Sequence, residues 1–566
     1  MRLACALVMM AGFADCCLAV AQANDQQATA TLQLNAREVV MDVVALDAKG
    51  HSVQGLSAND FRVIEDGVPQ RIRSVSEHVA MTPAEVARVS PVKMPSNTFT
   101  NFVRPGNTNS VNVIVIDALD TPLIAQMYLR QQLIAFMKTV PPGNVFAIFQ
   151  MDASGMHLVQ GFTSDPAELL KAVEGKRDSI VMRRPMTYRS ERKEVLNEGL
   201  REMGMYLAGV PGRKNLIWFA GEVPRAVFGL KGNPFPDAVD YDMQSAQAAN
   251  AVSLNRVAMY PIDDRGLEMR WHPFNQEELE RIANATGGKA FFNTNGLKEA
   301  LTQITETGSN YYTIAYAPTN TEWHAHHRDV EIAVPGRPDV KLQYRHRYYA
   351  HKEGKAQRVA DQKQAQQAMA EASKKQDDEA VEAGELALMG DAESKEDFAD
   401  SMHLGKMPAG ELVFSVSVAP GKSATKLGKN AALPQGSLLR ADFQRKPFRE
   451  DQLLFVIDPS RVHFEPQRDG SYGAELELVT VVYDNTGQVL NSVSTVRRIR
   501  FDAEMYDKVL RHELTVSSRQ TVDVPEKVNA FFRFGVYDTA SERIGTMEVP
   551  VDDVRPGVAG QGLRTP

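Results

Sequence analysis

Between residues 110 and 308 short apolar runs alternate with segments of helical period, and this restricts the fold more than any other feature of the chain. Val111-Asn112-Val113-Ile114-Val115-Ile116 is a near-continuous apolar run, the pattern of a strand buried on both faces of a parallel sheet. A helix is expected from about Pro122 to Thr139, with Leu129, Leu133, Phe136 and Met137 at helical spacing. The next strand is expected over 144–150 and an amphipathic helix over 191–207. Lys214 to Phe219 and Arg256 to Asp263 read as two more buried strands. Helices near 275–285 and 296–307 flank Gly287-Gly288-Lys289-Ala290-Phe291-Phe292. Repeated β-α units of this kind predict a doubly wound, mostly parallel α/β sheet.

The flanks are β-rich. Val39 to Leu46 ends in the turn Asp47-Ala48-Lys49-Gly50, and Phe61 to Glu65 runs into Asp66-Gly67, a strong hairpin signal. Strands return at 311–317, 328–334 and 340–347, which suggests an α/β domain inserted in a β-sandwich. Residues 351–408 are Ala-, Gln- and charge-rich, a linker with a solvated helix in its first half. Strands dominate again to about Val551, as in an immunoglobulin-like sandwich. The expected boundaries are therefore 1–23 leader, 24–109 sandwich strands and connector, 110–308 α/β domain, 309–350 returning strands, 351–408 linker and 409–566 C-terminal all-β domain. A chain of 566 residues is long enough for several such cores.

Arg2, the apolar run Leu3 to Met10 and the small-x-small site Ala21-Gln22-Ala23 read as a secretory signal cleaved before Asn24. A lipoprotein reading of Cys16-Cys17 fits less well, because Asp15 stands where a small apolar residue is needed. The three cysteines, Cys5, Cys16 and Cys17, all fall in this leader. The expectation is an exported chain, periplasmic or secreted, with no disulfide, no thiolate nucleophile and no membrane span after cleavage. A net charge of −8 supplies no basic footprint for nucleic acid. The run Arg183-Arg184 with Arg189, Arg192 and Lys193 is read as a solvated face.

Sites of chemistry are few. His324, His326 and His327 cluster between two strands, but without a separated fourth ligand they read as a polar hairpin loop. Thr286-Gly287-Gly288 lacks the rest of a phosphate-binding loop and reads as a helix C-cap. No Gly-x-Ser-x-Gly sits in strand-turn-helix context, Ser154-Gly155 reads as a hairpin and Asp263-Asp264 as a loop at a strand end. No enzyme is expected.

The order of these segments resembles the bacterial family described as VWFA-related, of acidobacterial type. The carrying residues are Val43-Val44-Ala45-Leu46-Asp47, Gly55 to Phe61, Glu65-Asp66-Gly67, Tyr260-Pro261-Ile262-Asp263, Thr286-Gly287-Gly288 with Phe291-Phe292-Asn293, and Tyr311 to Tyr316. The resemblance implies a von Willebrand factor type A-like domain that binds a protein or glycan partner at the upper edge of its sheet. It also implies a metal ion-dependent adhesion site, whose first loop reads Asp-x-Ser-x-Ser in the family. Here the loop reads Asp117-Ala118-Leu119-Asp120-Thr121, the second-loop hydroxyl would be Thr187, and Ala220 stands where an Asp is usual. Asp117, Thr121 and Thr187, with Asp120 or Glu222 in reserve, would be the ligands of a degenerate site for Mg²⁺, Mn²⁺ or Ca²⁺. The competing reading is that Asp117 and Thr121 only cap the helix that follows. At the level of function the alternative is an envelope assembly protein whose β domains make the contacts, independent of metal.

Overall fold

The molecule is described by a computed structural model. It covers residues 38–82, 84–85, 95–102, 110–119, 121–140, 143–174, 183, 185–186, 189–220, 252, 255–263, 273–292, 296–321, 326–350, 394–421, 438–444 and 446–555.

Strand β1 (Val39–Leu46) alternates inward and outward residues at its start, as a strand with one covered face must. It is joined by β2 (Arg62–Glu65), β3 (Val68–Gln70) and β4 (Ile72–His78). The Asp66-Gly67 turn between β2 and β3 has both residues at positive φ, the geometry of a tight two-residue hairpin. Their partners come from far along the chain: β11 (Tyr311–Tyr316), β12 (His326–Ala333), β13 (Lys341–Gln343) and β14 (Arg347–Ala350). One sheet runs β13-β1-β11-β4 and the other β14-β12-β2-β3. Met41, Val43, Phe61, Val63, Tyr312 and Ile314 fill the space between them. Glu65 lies in this core and accepts hydrogen bonds from Arg328 (3.0 Å), Tyr316 and Tyr348 (2.8 Å each).

The α/β layer contains β6 (Ser110–Asp117), α1 (Leu123–Met137), β7 (Phe146–Asp152), β8 (Gly155–Thr163), α2 (Pro166–Val173), α3 (Arg189–Ala208), β9 (Arg213–Ala220), β10 (Val257–Asp263), α4 (Pro273–Thr286) and α5 (Leu297–Gly308). The sheet order is β10-β9-β6-β7-β8. All pairs are parallel except β7 with β8, which the short turn at Asp152–Gly155 forces to run antiparallel. The chain winds outward from β6 to one side and then returns to the other, so the carboxyl ends of β6 and β9 flank a topological switch point. Helices cover both faces, and every residue of β6, β7, β9 and β10 is buried. Gly287, at φ +79°, ends α4, and Gly288 N–H reaches back to Ala283 O. A Cβ at Gly288 would lie 1.8 Å from Met259 O, so these glycines seat a helix end against the sheet.

The C-terminal sandwich uses α6 (Ser394–Ser401), β15 (Phe414–Ala419), β16 (Phe448–Ile457), β17 (Glu465–Pro466), β18 (Tyr472–Asp484), β19 (Val489–Phe501), α7 (Ala503–Leu510), β20 (Val516–Pro525), β21 (Ala530–Asp538) and β22 (Ile544–Pro550). Two findings depart from the sequence reading. Thr98–Thr100, placed in a connector, is strand β5, and it completes the sheet β20-β16-β15-β5 by pairing with Ser415–Ser417. Ser394–Ser401, placed in an acidic linker, is helix α6. Its Phe398 and the following Met402 are buried over Gly535, where a Cβ would meet Met402 Sδ at 2.4 Å. Three residues cannot show a period, and a polar helix anchored by one aromatic looks solvated. The predicted helix in the first half of the linker lies outside the described residues.

The parts are locked together. Asp42 of β1 pairs with Arg256 just before β10. Gly410 N–H donates to Met205 O of α3, and Arg461 donates to Ala208 O. Gly209 and Gly410 meet back to back: a Cβ on either would lie 2.8 Å from backbone oxygen. Lys214 is buried at this junction, donating to Asn255 O at 2.6 Å. Burial, together with the nearby Arg256 and Arg461, brings its ammonium down to about 7 against the opposing pull of Asp42.

Candidate upper-edge recognition site

The carboxyl ends of β6, β7 and β9 put Asp117, Asp152 and Ala220 along one edge of the sheet. Asp117 is held by the chain itself. Its Oδ1 accepts from Leu119 N–H at 2.9 Å and its Oδ2 from Trp218 Nε1 at 3.2 Å. Leu119, which stands where the family has a metal-binding hydroxyl, is packed into the core beside Trp218, Leu200 and Met203. Asp117 is 3% exposed and Thr121 is 0% exposed, so neither offers its side chain to a partner.

Magnesium takes six oxygens in near-octahedral geometry. Among the described residues the loop supplies only Asp117 and Thr121, with a core leucine between them and Ala220 opposite. These two side chains alone fall short of six oxygens. Asp120, Thr187 and Glu222 lie outside the described residues.

Gln126 stitches the loop to the segment that follows α2. Its Nε2 donates to Thr121 O (2.7 Å) and Arg183 O (2.8 Å), and its Oε1 accepts from Arg183 N–H. Met186 N–H donates to Leu119 O. Beside it, Asp152 accepts from Ser154 N–H and Oγ, from His157 Nε2 and, on its other oxygen, from Arg183 Nε at 2.8 Å. Burial opposes ionisation of Asp152, but the Ser154 and His157 hydrogen bonds outweigh it and hold the carboxyl below its ordinary value.

Ser154, His157 and Asp152 are a familiar trio in the wrong arrangement. Ser154 Oγ and Asp152 Oδ1 both approach His157 Nε2, at 2.9 and 3.2 Å. A hydrolytic triad needs the acid on the other ring nitrogen, so that the ring can relay between acid and nucleophile. Among the described residues, Ser154, His157 and Arg183 are exposed beside this edge.

Elsewhere, Asp263 is buried at the end of β10, its N–H donating to Phe291 O, while Asp264 lies outside the described residues. His324 also lies outside them; His326 and His327 begin β12. Carboxylate oxygens of Glu198, Glu202 and Asp400 gather within 4.8 Å. Arg201 pairs with Glu198 and Asp397, and Lys406 with Glu202 and Asp400, so this is an ion-pair cluster joining α3 to α6. Sequence reasoning named Asp117 and Thr121 but missed Trp218, Gln126 and Asp152, because Trp218 reaches Asp117, and Arg183 reaches Gln126 and Asp152, from distant parts of the chain. The one available signal was the Asp-Ala-Ser-Gly-Met-His order of 152–157, whose Asp and Ser make a local turn.

No protein-family model matches the chain, and no curated protein matches it. Solved structures do. The von Willebrand factor type A protein from Catenulispora acidiphila is 15% identical, with 47% of this chain and 73% of that one covered at a TM-score of 0.26. The human COPII-coat protein Sec24c is 7% identical, covering 43% and 44%, at 0.26. The VWA domain of SpRpn10 is 12% identical, covering 35% and 95%, at 0.23. Two of these three are type A proteins by name. Overlaps this small carry no argument on their own, and the class of fold rests on the strand order: a doubly wound α/β sheet with one antiparallel edge strand. Among the described residues no helix is long and apolar enough to cross a membrane.

Proposed function

We propose that the protein is an exported envelope component, periplasmic or secreted, which binds a protein or glycan partner through the upper edge of a von Willebrand type A-like sheet. It works by surface recognition, without catalysis and without a resident metal. The observation that carries this reading is the state of Asp117. A carboxylate already shared between Leu119 N–H and Trp218 Nε1 serves the loop as a hydrogen-bonded post. The contacts then fall to the exposed residues beside it, Ser154, His157 and Arg183. Export rests on the leader at residues 1–23.

The test uses immobilised mature protein against solubilised envelope proteins and a glycan array. His157→Ala with Arg183→Glu should weaken capture at least about tenfold, a loss of roughly 1.4 kcal/mol. Unchanged capture would favour the second reading, an assembly protein whose β domains make the contacts. The long strands β18 and β19 and the immunoglobulin-like arrangement we read in the C-terminal sandwich would then be its working parts.

A further inference from the structure

A cavity of about 440 Å³ opens at one end of the C-terminal sandwich. Its walls come from the start of β16, the turn that joins β20 to β21, and the short turn after β22. The volume falls within the roughly 300–1,000 Å³ of small-molecule sites. Such sites are mostly lined by apolar side chains, and this one is not. Arg449, Glu526, Lys527 and Asp552 line it, with Val528 and Val551 as apolar surface.

Glu526 N–H donates to Pro447 O at 3.0 Å, which ties the turn to the start of β16. Lys527 stands at φ +60°, a backbone conformation that glycine would adopt at lower cost. Arg449 is 20% exposed, and its Nε donates to both oxygens of Asp451, at 2.9 and 3.2 Å. Asp451 is fully buried, accepts from Gly421 N–H as well, and does not line the cavity. That grip leaves Arg449 Nη1 and Nη2 without an acceptor among the described residues. Nor, among those residues, do Glu526, Lys527 and Asp552 form ion pairs with Arg449 or with one another. Two cations and two carboxylates thus share one cavity without pairing.

This charge pattern selects the ligand. A bare anion would meet Arg449 and Lys527 but also both carboxylates, with Asp451 beneath them as a third acid. A bare cation would leave the Arg449 fork without an acceptor, which is costly for a guanidinium held away from water. A molecule that carries both charges serves both sets. Its carboxylate can take the two parallel N–H bonds that an arginine offers.

We infer that this cavity binds a small zwitterion, a dipeptide with free termini, whose carboxylate sits on Arg449 and whose ammonium faces Glu526 and Asp552. An aliphatic side chain of the ligand packs on Val528 and Val551. The site uses no residue of the upper edge, so it stands or falls independently of the recognition proposed there.

The experiment is calorimetry of alanyl-leucine into the full mature chain, beside its N-acetyl form, its C-terminal amide and galacturonic acid. Saturable heat is expected with the free dipeptide, and binding at least about tenfold weaker with either capped form. Glu526→Gln with Asp552→Asn should weaken the free dipeptide at least about tenfold and leave the affinity of the N-acetyl form unchanged, since that form has no ammonium. Arg449→Lys keeps the charge and loses the fork, so it should weaken the free dipeptide and leave the amide unchanged. Arg449 also holds buried Asp451, so thermal unfolding of each variant is compared with the unaltered protein. The Glu526/Asp552 variant does not touch that contact and reads the site by itself. No heat at millimolar dipeptide, equal binding of the capped forms, or unweakened binding by the Glu526/Asp552 variant would overturn the inference. So would heat from galacturonic acid alone, since the occupant would then be an acidic sugar.

Discussion

Two buried charged residues set the terms at the scale of single side chains. Lys214 titrates at about 7 in the fold, against 10.5 for an unhindered lysine. Between those values the unfolded chain binds the extra proton, so stability must rise with pH across the window, by at most about 1.4 kcal/mol per pH unit. Below about 7 both states are protonated and the cost of the buried charge is fully present. Lys214→Met should therefore raise stability most at or below neutral pH and flatten the rise between 7 and 10.5, as read by urea denaturation across that range. An unchanged slope would mean that the ammonium is better solvated than its position implies. Glu65 is the opposite case, a carboxylate with three donors around it. Glu65→Gln removes the carboxylate that faces buried Arg328 and should cost about 3–5 kcal/mol, measured the same way. A loss below about 1 kcal/mol would show that the network is replaceable.

For elements, what could be read in the sequence depended on whether the cause of a structure lies close by in the chain. The central strands β6, β9 and β10 were legible because burial on both faces leaves a largely apolar run. The hairpin at Asp66-Gly67 and the helix end at Gly287 were legible because positive φ selects the residues found there. Strand β5 was not: Thr98-Phe99-Thr100 becomes a strand only because β15, more than three hundred residues later, presents an open edge. Helix α6 hides its burial in Phe398 and Met402. The glycines allow a graded test. Gly288→Ala, whose Cβ meets Met259 O, should cost more than about 3 kcal/mol. Gly487→Ala, at φ +82° in open space, should cost only about 1 kcal/mol. Equal losses in thermal unfolding would mean that α4 can slide off the sheet without penalty.

At the largest scale the described residues form two β-sandwiches and an α/β layer that share backbone contacts. The candidate site was half legible in the sequence: Asp117 and its loop follow from one strand end, whereas Trp218 reaches Asp117 from β9 and Arg183 reaches Asp152 from beyond α2. Gly209 and Gly410 hold α3 against the segment leading into β15, so the α/β layer and the C-terminal sandwich should unfold in one calorimetric transition. Gly410→Leu should separate it into two; a single transition in the variant would place the coupling elsewhere. A frame tied together in this way suits a protein that presents a fixed upper edge, held at Asp117 by the chain's own hydrogen bonds. The most direct measurement is isothermal calorimetry of Mg²⁺, Mn²⁺ and Ca²⁺ into chelator-stripped mature protein, beside Asp117→Ala. No saturable heat is expected at millimolar metal, because Leu119 N–H and Trp218 Nε1 already share the Asp117 carboxylate. Saturable binding that Asp117→Ala abolishes would contradict that expectation and make metal-dependent capture the mechanism.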